Sequence, residues 1–115
     1  MSIRTSLIAL SLAAALAPTL APTLAVAADA EIVITIKNHQ FSPAEVRVPA
    51  GKKIKLIIDN QDATAEEFES AELNREKIIA PKSKASVYIG PLSAGKYPFM
   101  GEFNPTTARG VVIAE

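Results

Sequence analysis

The chain has no cysteine and a single histidine, His39, among its 115 residues. Those two scarcities exclude much. No disulfide can staple the fold, and no thiolate can act as nucleophile or metal ligand. One imidazole leaves little room for a serine–histidine–carboxylate arrangement, and no glycine loop of the phosphate-cradling kind is present. The sequence therefore carries no enzyme signature, and at most an accessory metal-oxidising role is left open. An excess of charge of one sign is missing too, because twelve Lys and Arg face twelve Asp and Glu. Nucleic-acid binders show a basic stripe with base-reading or stacking residues, and none is found here.

Arg4 precedes an apolar run over residues 7–16 that is too short to span a bilayer. Small residues follow, and both Ala25-Val26-Ala27 and Ala28-Asp29-Ala30 fit a small-x-small cleavage site. Residues 1–27 are expected to be a signal peptide cut after Ala27 or Ala30, which in a bacterium sends the protein to the periplasm. No cysteine stands at the cleavage site to take a lipid. Removing Arg4 leaves eleven basic against twelve acidic residues in 28–115, a net charge of −1. A domain of that size buries only about 60–65% of its unfolded surface, so its core must be compact.

Turn signals punctuate residues 28–115 at short intervals: Pro49-Ala50-Gly51, Asp59-Asn60-Gln61-Asp62, Pro81-Lys82-Ser83-Lys84 and Gly90-Pro91 through Gly95. Between them apolar residues alternate with period two. Ile32, Ile34 and Ile36 form one such series, Ile54, Leu56 and Ile58 a second, and Ala85, Val87 and Ile89 a third. Val46 and Val48 flank Arg47, and Val111 and Ile113 flank Val112. Short alternating strands with Gly/Pro turns predict an all-β Greek-key sandwich of about seven to eight strands. One stretch is open: Thr64-Ala65-Glu66-Glu67 fits a helix capping box, and the same residues also suit the start of a strand.

Residues 38–51, Asn-His-Gln-Phe-Ser-Pro-Ala-Glu-Val-Arg-Val-Pro-Ala-Gly, resemble the opening of the EfeO-type cupredoxin-like domains. Phe41 would supply a core residue at a turn, Pro43 would break one strand from the next, and Gly51 would permit a positive φ. The resemblance continues in order through residues 55–60, 79–84 and 95–99, and ends in Tyr97-Pro98-Phe99-Met100-Gly101-Glu102-Phe103-Asn104. That last stretch is similar to the ligand loop of the blue-copper cupredoxins. By the resemblance, the family's cysteine falls on Gly101, its two histidines on Glu66 and Asn104, and its methionine near Ala108 or Arg109. A blue-copper centre needs two imidazoles and a thiolate, so this chain cannot build one.

A harder, oxygen-rich site could stand in its place. The expected metal ligands are His39, Glu66, Met100 and Glu102, with Glu67 and Asn104 as second choices. One imidazole with carboxylates suits iron or copper(II), and a methionine sulfur adds some preference for copper. The remaining acidic residues of this region, Asp59, Asp62, Glu69, Glu72 and Glu76, are expected to be a solvated face. Tyr97, Phe99 and Phe103 are expected to pack into the sandwich. The resemblance implies an exported protein that assists iron or copper binding, oxidation or transfer for a membrane ferrous-iron permease. The alternative is a metal-free interaction module that docks a membrane transporter. Nothing in the sequence fixes the oligomeric state.

Overall fold

The computed structural model describes Ser2 and residues 28–115, so all but one residue of the expected signal segment lies outside the described residues. The described chain is all β, with nine strands and no helix. They are β1 (Ala30–Lys37), β2 (Gln40–Ser42), β3 (Glu45–Val48), β4 (Ile54–Asn60), β5 (Glu66–Ser70), β6 (Arg75–Ile79), β7 (Lys84–Ile89), β8 (Gly95–Gly101) and β9 (Arg109–Ala114). The expected sandwich is there, one strand richer than anticipated because the three-residue β2 pairs back on β1. Glu66–Ser70 is a strand, which settles the capping-box ambiguity. Alternation decides it: Glu66, Phe68 and Ser70 turn inward, while Glu67 and Glu69 turn out.

One sheet has the order β2-β1-β4-β7 and the other β3-β9-β8-β5-β6. β1 runs parallel to β4 and β3 parallel to β9, and the remaining pairs are antiparallel. The predicted alternation supplies the layer between the sheets. Ile34, Ile36, Ile54, Leu56, Ile58, Val87 and Ile89 face Phe68, Ile79, Phe99 and Val112, all of them buried. Each such side chain contributes roughly 1.5–3 kcal/mol when taken from water. Phe41, Phe68 and Phe99 form an aromatic group, with Phe99 5.0 Å from each of the other two ring centres. Gly51 has φ 73°, as its place in the turn requires.

The turn between β1 and β2 explains His39. Asn38 and His39 both have positive φ, 53° and 58°, and their N–H groups point at one side chain. Asp62 accepts from Asn38 N at 2.8 Å and from His39 N at 2.9 Å. Asp62 is placed by buried Asn60, whose Oδ1 accepts from Asp62 N and whose Nδ2 reaches the carbonyls of Thr64, Ile79 and Ala80. The His39 N–H bond, with a smaller part from Asn38, holds the Asp62 carboxyl below its ordinary 3.8 although partial burial opposes this. A depressed carboxylate adds stability that is present above its unfolded value and lost as pH falls through the folded one. Asp62→Ala is therefore expected to cost about 1–2 kcal/mol at pH 7 and to reduce the loss of stability on acidification below pH 4, measured by denaturant unfolding across pH.

Candidate functional site

The loop between β8 and β9, residues 102–108, closes over the inward side chain of Glu66. That side chain is 1% exposed, yet it lacks no partner. Its Oε1 accepts from Phe103 N at 2.9 Å and from Glu67 N at 3.0 Å, and its Oε2 accepts from Asn104 Nδ2 at 2.6 Å. Three N–H donors around a carboxylate offset the desolvation that would otherwise make its burial costly. Gly101 makes the room. A Cβ there would lie 2.6 Å from Glu66 Cδ, 2.8 Å from Glu66 Oε1 and 2.6 Å from Ala108 Cβ. The loop is closed further by Gly101 N to Ala108 O, Asn104 N to Gly101 O and Ala108 N to Asn104 O.

The outward side of the same strands is acidic. Glu67 and Glu69 project from β5, Glu76 stands opposite Glu69 on β6, and Glu102 follows β8, its N–H bonded to Glu67 O at 2.9 Å. One carboxylate oxygen from each of Glu67, Glu69, Glu76 and Glu102 lies within 4.8 Å of the others. Among the described residues, none of the four has a Lys, Arg or His partner within 4.0 Å. Like charges facing each other across an antiparallel pair are destabilising, so this cluster costs the fold something. A hydrogen bond with the Glu102 carboxyl, then desolvation and the charges of Glu102, Glu76 and Glu67, push Glu69 up to about 7. Glu67 is raised mainly by desolvation and then by Glu102.

The structure sorts the expected ligands into four places. Glu102 and Glu67 belong to the outward cluster. Glu66 and Asn104 meet each other instead, inside the loop. His39 is in neither place: its Nδ1 lies 3.6 Å from Asp62 Oδ2 with the ring half exposed. Met100 pairs in register with Glu69 and lines a depression of about 230 Å3 with Glu69, Phe99 and Arg109, beside the cluster. Glu69 and Glu76 were expected to be solvated surface, but the hairpin register puts them into the cluster. The signal was the Glu67-x-Glu69 alternation, usable only once the segment is known to be a strand. Phe103 is not a packing residue, because β8 ends at Gly101 and the turn leaves it 51% exposed.

A model of the cupredoxin-like domain matches residues 6–114. The chain belongs to the cupredoxin-like domain family. It is 49% identical over 83 residues to "Uncharacterized protein RP394" of Rickettsia prowazekii (strain Madrid E), a match over 72% of this chain and 66% of that protein. Among solved structures, it is similar to the metal-binding domain of the Streptococcus pneumoniae D39 Cu(I)-exporting P-type ATPase CopA, with a TM-score of 0.66 and 14% identity over 74% of this chain and 84% of that one. Auracyanin A, a blue copper protein of Chloroflexus aurantiacus, gives 0.64 and 13% over 74% and 98%. Amicyanin of Paracoccus versutus gives 0.58 and 22% over 78% and 85%. At these identities the likeness is one of fold alone.

The cupredoxin-like chain does not fit a blue copper ion. The chain has no cysteine, and beside Gly101 the Glu66 carboxyl and Ala108 fill the space. Its single imidazole, His39, lies beside Asp62, apart from the bonded pair Glu66 and Asn104. The titration of the outward face is separately testable. A carboxyl raised in the folded state adds stability below its unfolded value that is lost as pH rises through the folded one, here between pH 4.5 and about 7. The metal-free protein is expected to melt at a lower temperature at pH 8 than at pH 5, and Glu69→Gln to flatten that difference. Thermal unfolding at low salt with a chelator present checks it.

Proposed function

We propose that this is an exported, periplasmic cupredoxin-like protein that handles a hard metal cation, iron or copper(II), at Glu67, Glu69, Glu76 and Glu102. The observation that carries this reading is the convergence of four carboxylates, unpaired among the described residues, from two adjacent strands and the turn that follows a third in the same sheet. A multiply charged cation would relieve their mutual repulsion, and hard oxygen donors favour such ions. Carboxylates also favour the ferric over the ferrous ion, which is coherent with a step in iron uptake. The site is shallow and faces solvent, as suits an ion received and passed on to a membrane iron permease. Met100 lies at its border as an optional soft contact. The N-terminal segment with its small-residue cleavage sites supports export.

A second reading is a metal-free interaction module docking a membrane transporter. The closed loop favours it, since the Glu66 carboxyl, at a ligand position by the family resemblance, is already taken up by three N–H donors. Calorimetric titration with Cu(II), anaerobically handled Fe(II) and chelated Fe(III) separates the two. The cation reading predicts binding of at least one ion, weakened more than tenfold (about 1.4 kcal/mol) by the double variant Glu69→Gln/Glu102→Gln and left unchanged by His39→Ala. No binding of any of the three would leave the interaction module. A loss with His39→Ala alone would move the site to the β1–β2 turn. Copper-loaded protein should show no intense blue thiolate band.

A further inference from the structure

Glu66 and Glu67 are neighbours on β5 that face opposite sides, and Asn104 and Glu102 are divided between the same two sides. Glu102 is exposed and lies just past the end of β8, where no ladder holds its side chain. The charges of its three cluster partners repel it, offset only where it shares a hydrogen bond with Glu69 or Glu67, so a free loop with these groups ionised would carry it away from them. What holds it is the backbone around it. Glu102 N bonds Glu67 O at 2.9 Å, Phe103 N bonds Glu66 Oε1 at 2.9 Å, and Asn104 Nδ2 bonds Glu66 Oε2 at 2.6 Å. Residues 102, 103 and 104 are thus each tied to residue 66 or 67. The missing Cβ of Gly101 admits the carboxylate that makes two of these ties.

We infer that Glu66 and Asn104, at the positions of two copper ligands in the family resemblance, form an internal latch that positions Glu102 in the surface carboxylate cluster. This rests on the reading of that cluster as a cation site. The interior of the loop end sets the geometry of a site on the other face of the same sheet. Glu66 and Asn104 are positioning residues and touch no cation themselves.

The test has a metal-free arm and a metal arm. In the chelated protein, Asn104→Ala should speed amide hydrogen exchange at Glu102 and Phe103 more than tenfold while leaving core amides such as Ile58 unchanged. With Tb(III) as a luminescent oxygen-seeking probe, Asn104→Ala and Glu66→Ala should each weaken binding more than tenfold. Glu66→Gln, which keeps an acceptor for Phe103 N, should recover most of it. Val112→Ala, a core change away from the loop, should lower the melting temperature without changing the Tb(III) affinity. If Glu66→Ala does not fold, Asn104→Ala carries the comparison. Unchanged exchange at Glu102 and Phe103 would overturn the latch. Faster exchange with unchanged Tb(III) affinity would overturn its positioning role while leaving the cation site standing. Failure of the unaltered protein to bind Tb(III) would overturn the cation site and this inference with it.

Discussion

The loop end of this sandwich depends on one buried carboxylate. Glu66 is 1% exposed and takes three N–H donors, from Glu67, Phe103 and Asn104. Removing a charge from water without such partners would cost several kcal/mol, so the loop and the carboxylate require each other. Gly101 leaves the space, Ala108 lines it, and Asn104 donates into it. That volume is filled by the carboxyl group and its hydrogen bonds, and the loop is closed by the chain itself.

The strand divides two environments. The interior of the loop end is held by hydrogen bonds, and the clustered carboxylates lie on the solvent side, on β5 and β6 and just past β8. Period-two alternation makes this possible on a single strand, since Glu66 and Phe68 serve the inside while Glu67 and Glu69 serve the outside. The outward cluster is a poor arrangement for stability, with Glu69 raised by its neighbours and no basic partner among the described residues. Sites that destabilise a fold in this way are candidates for function. The β1–β2 turn is the opposite case. There Asp62 collects two backbone donors, and His39 is a turn residue beside it.

Much of the fold was legible in the sequence, because the isoleucine and valine alternation of β1, β4 and β7 has only one buried face to offer. The short β2 was not, since three residues carry no periodicity. Of the carboxylate cluster, Glu67 and Glu102 were singled out in the sequence, and the lack of cysteine excluded a blue-copper centre. Glu69 and Glu76 were read as solvated surface, because a charge run says nothing of register: only the pairing Glu69↔Glu76 and Glu69↔Met100 turns it into a cluster. His39 drew weight as the only imidazole, and the structure places it beside Asp62, apart from the carboxylate cluster. The bond between Glu66 and Asn104 joins residues 38 apart in sequence, and nothing local to either announces it.

The most direct measurement is where a metal sits. Crystals of the protein soaked in Mn(II) or Cu(II), with anomalous scattering recorded at the metal edge, would locate it without reference to affinity. The account predicts one dominant anomalous peak among the carboxylates of Glu67, Glu69, Glu76 and Glu102, with Glu66 still bonded to Asn104. A peak between Glu66, Gly101 and Asn104, or at His39 with the carboxylate cluster empty, would contradict it.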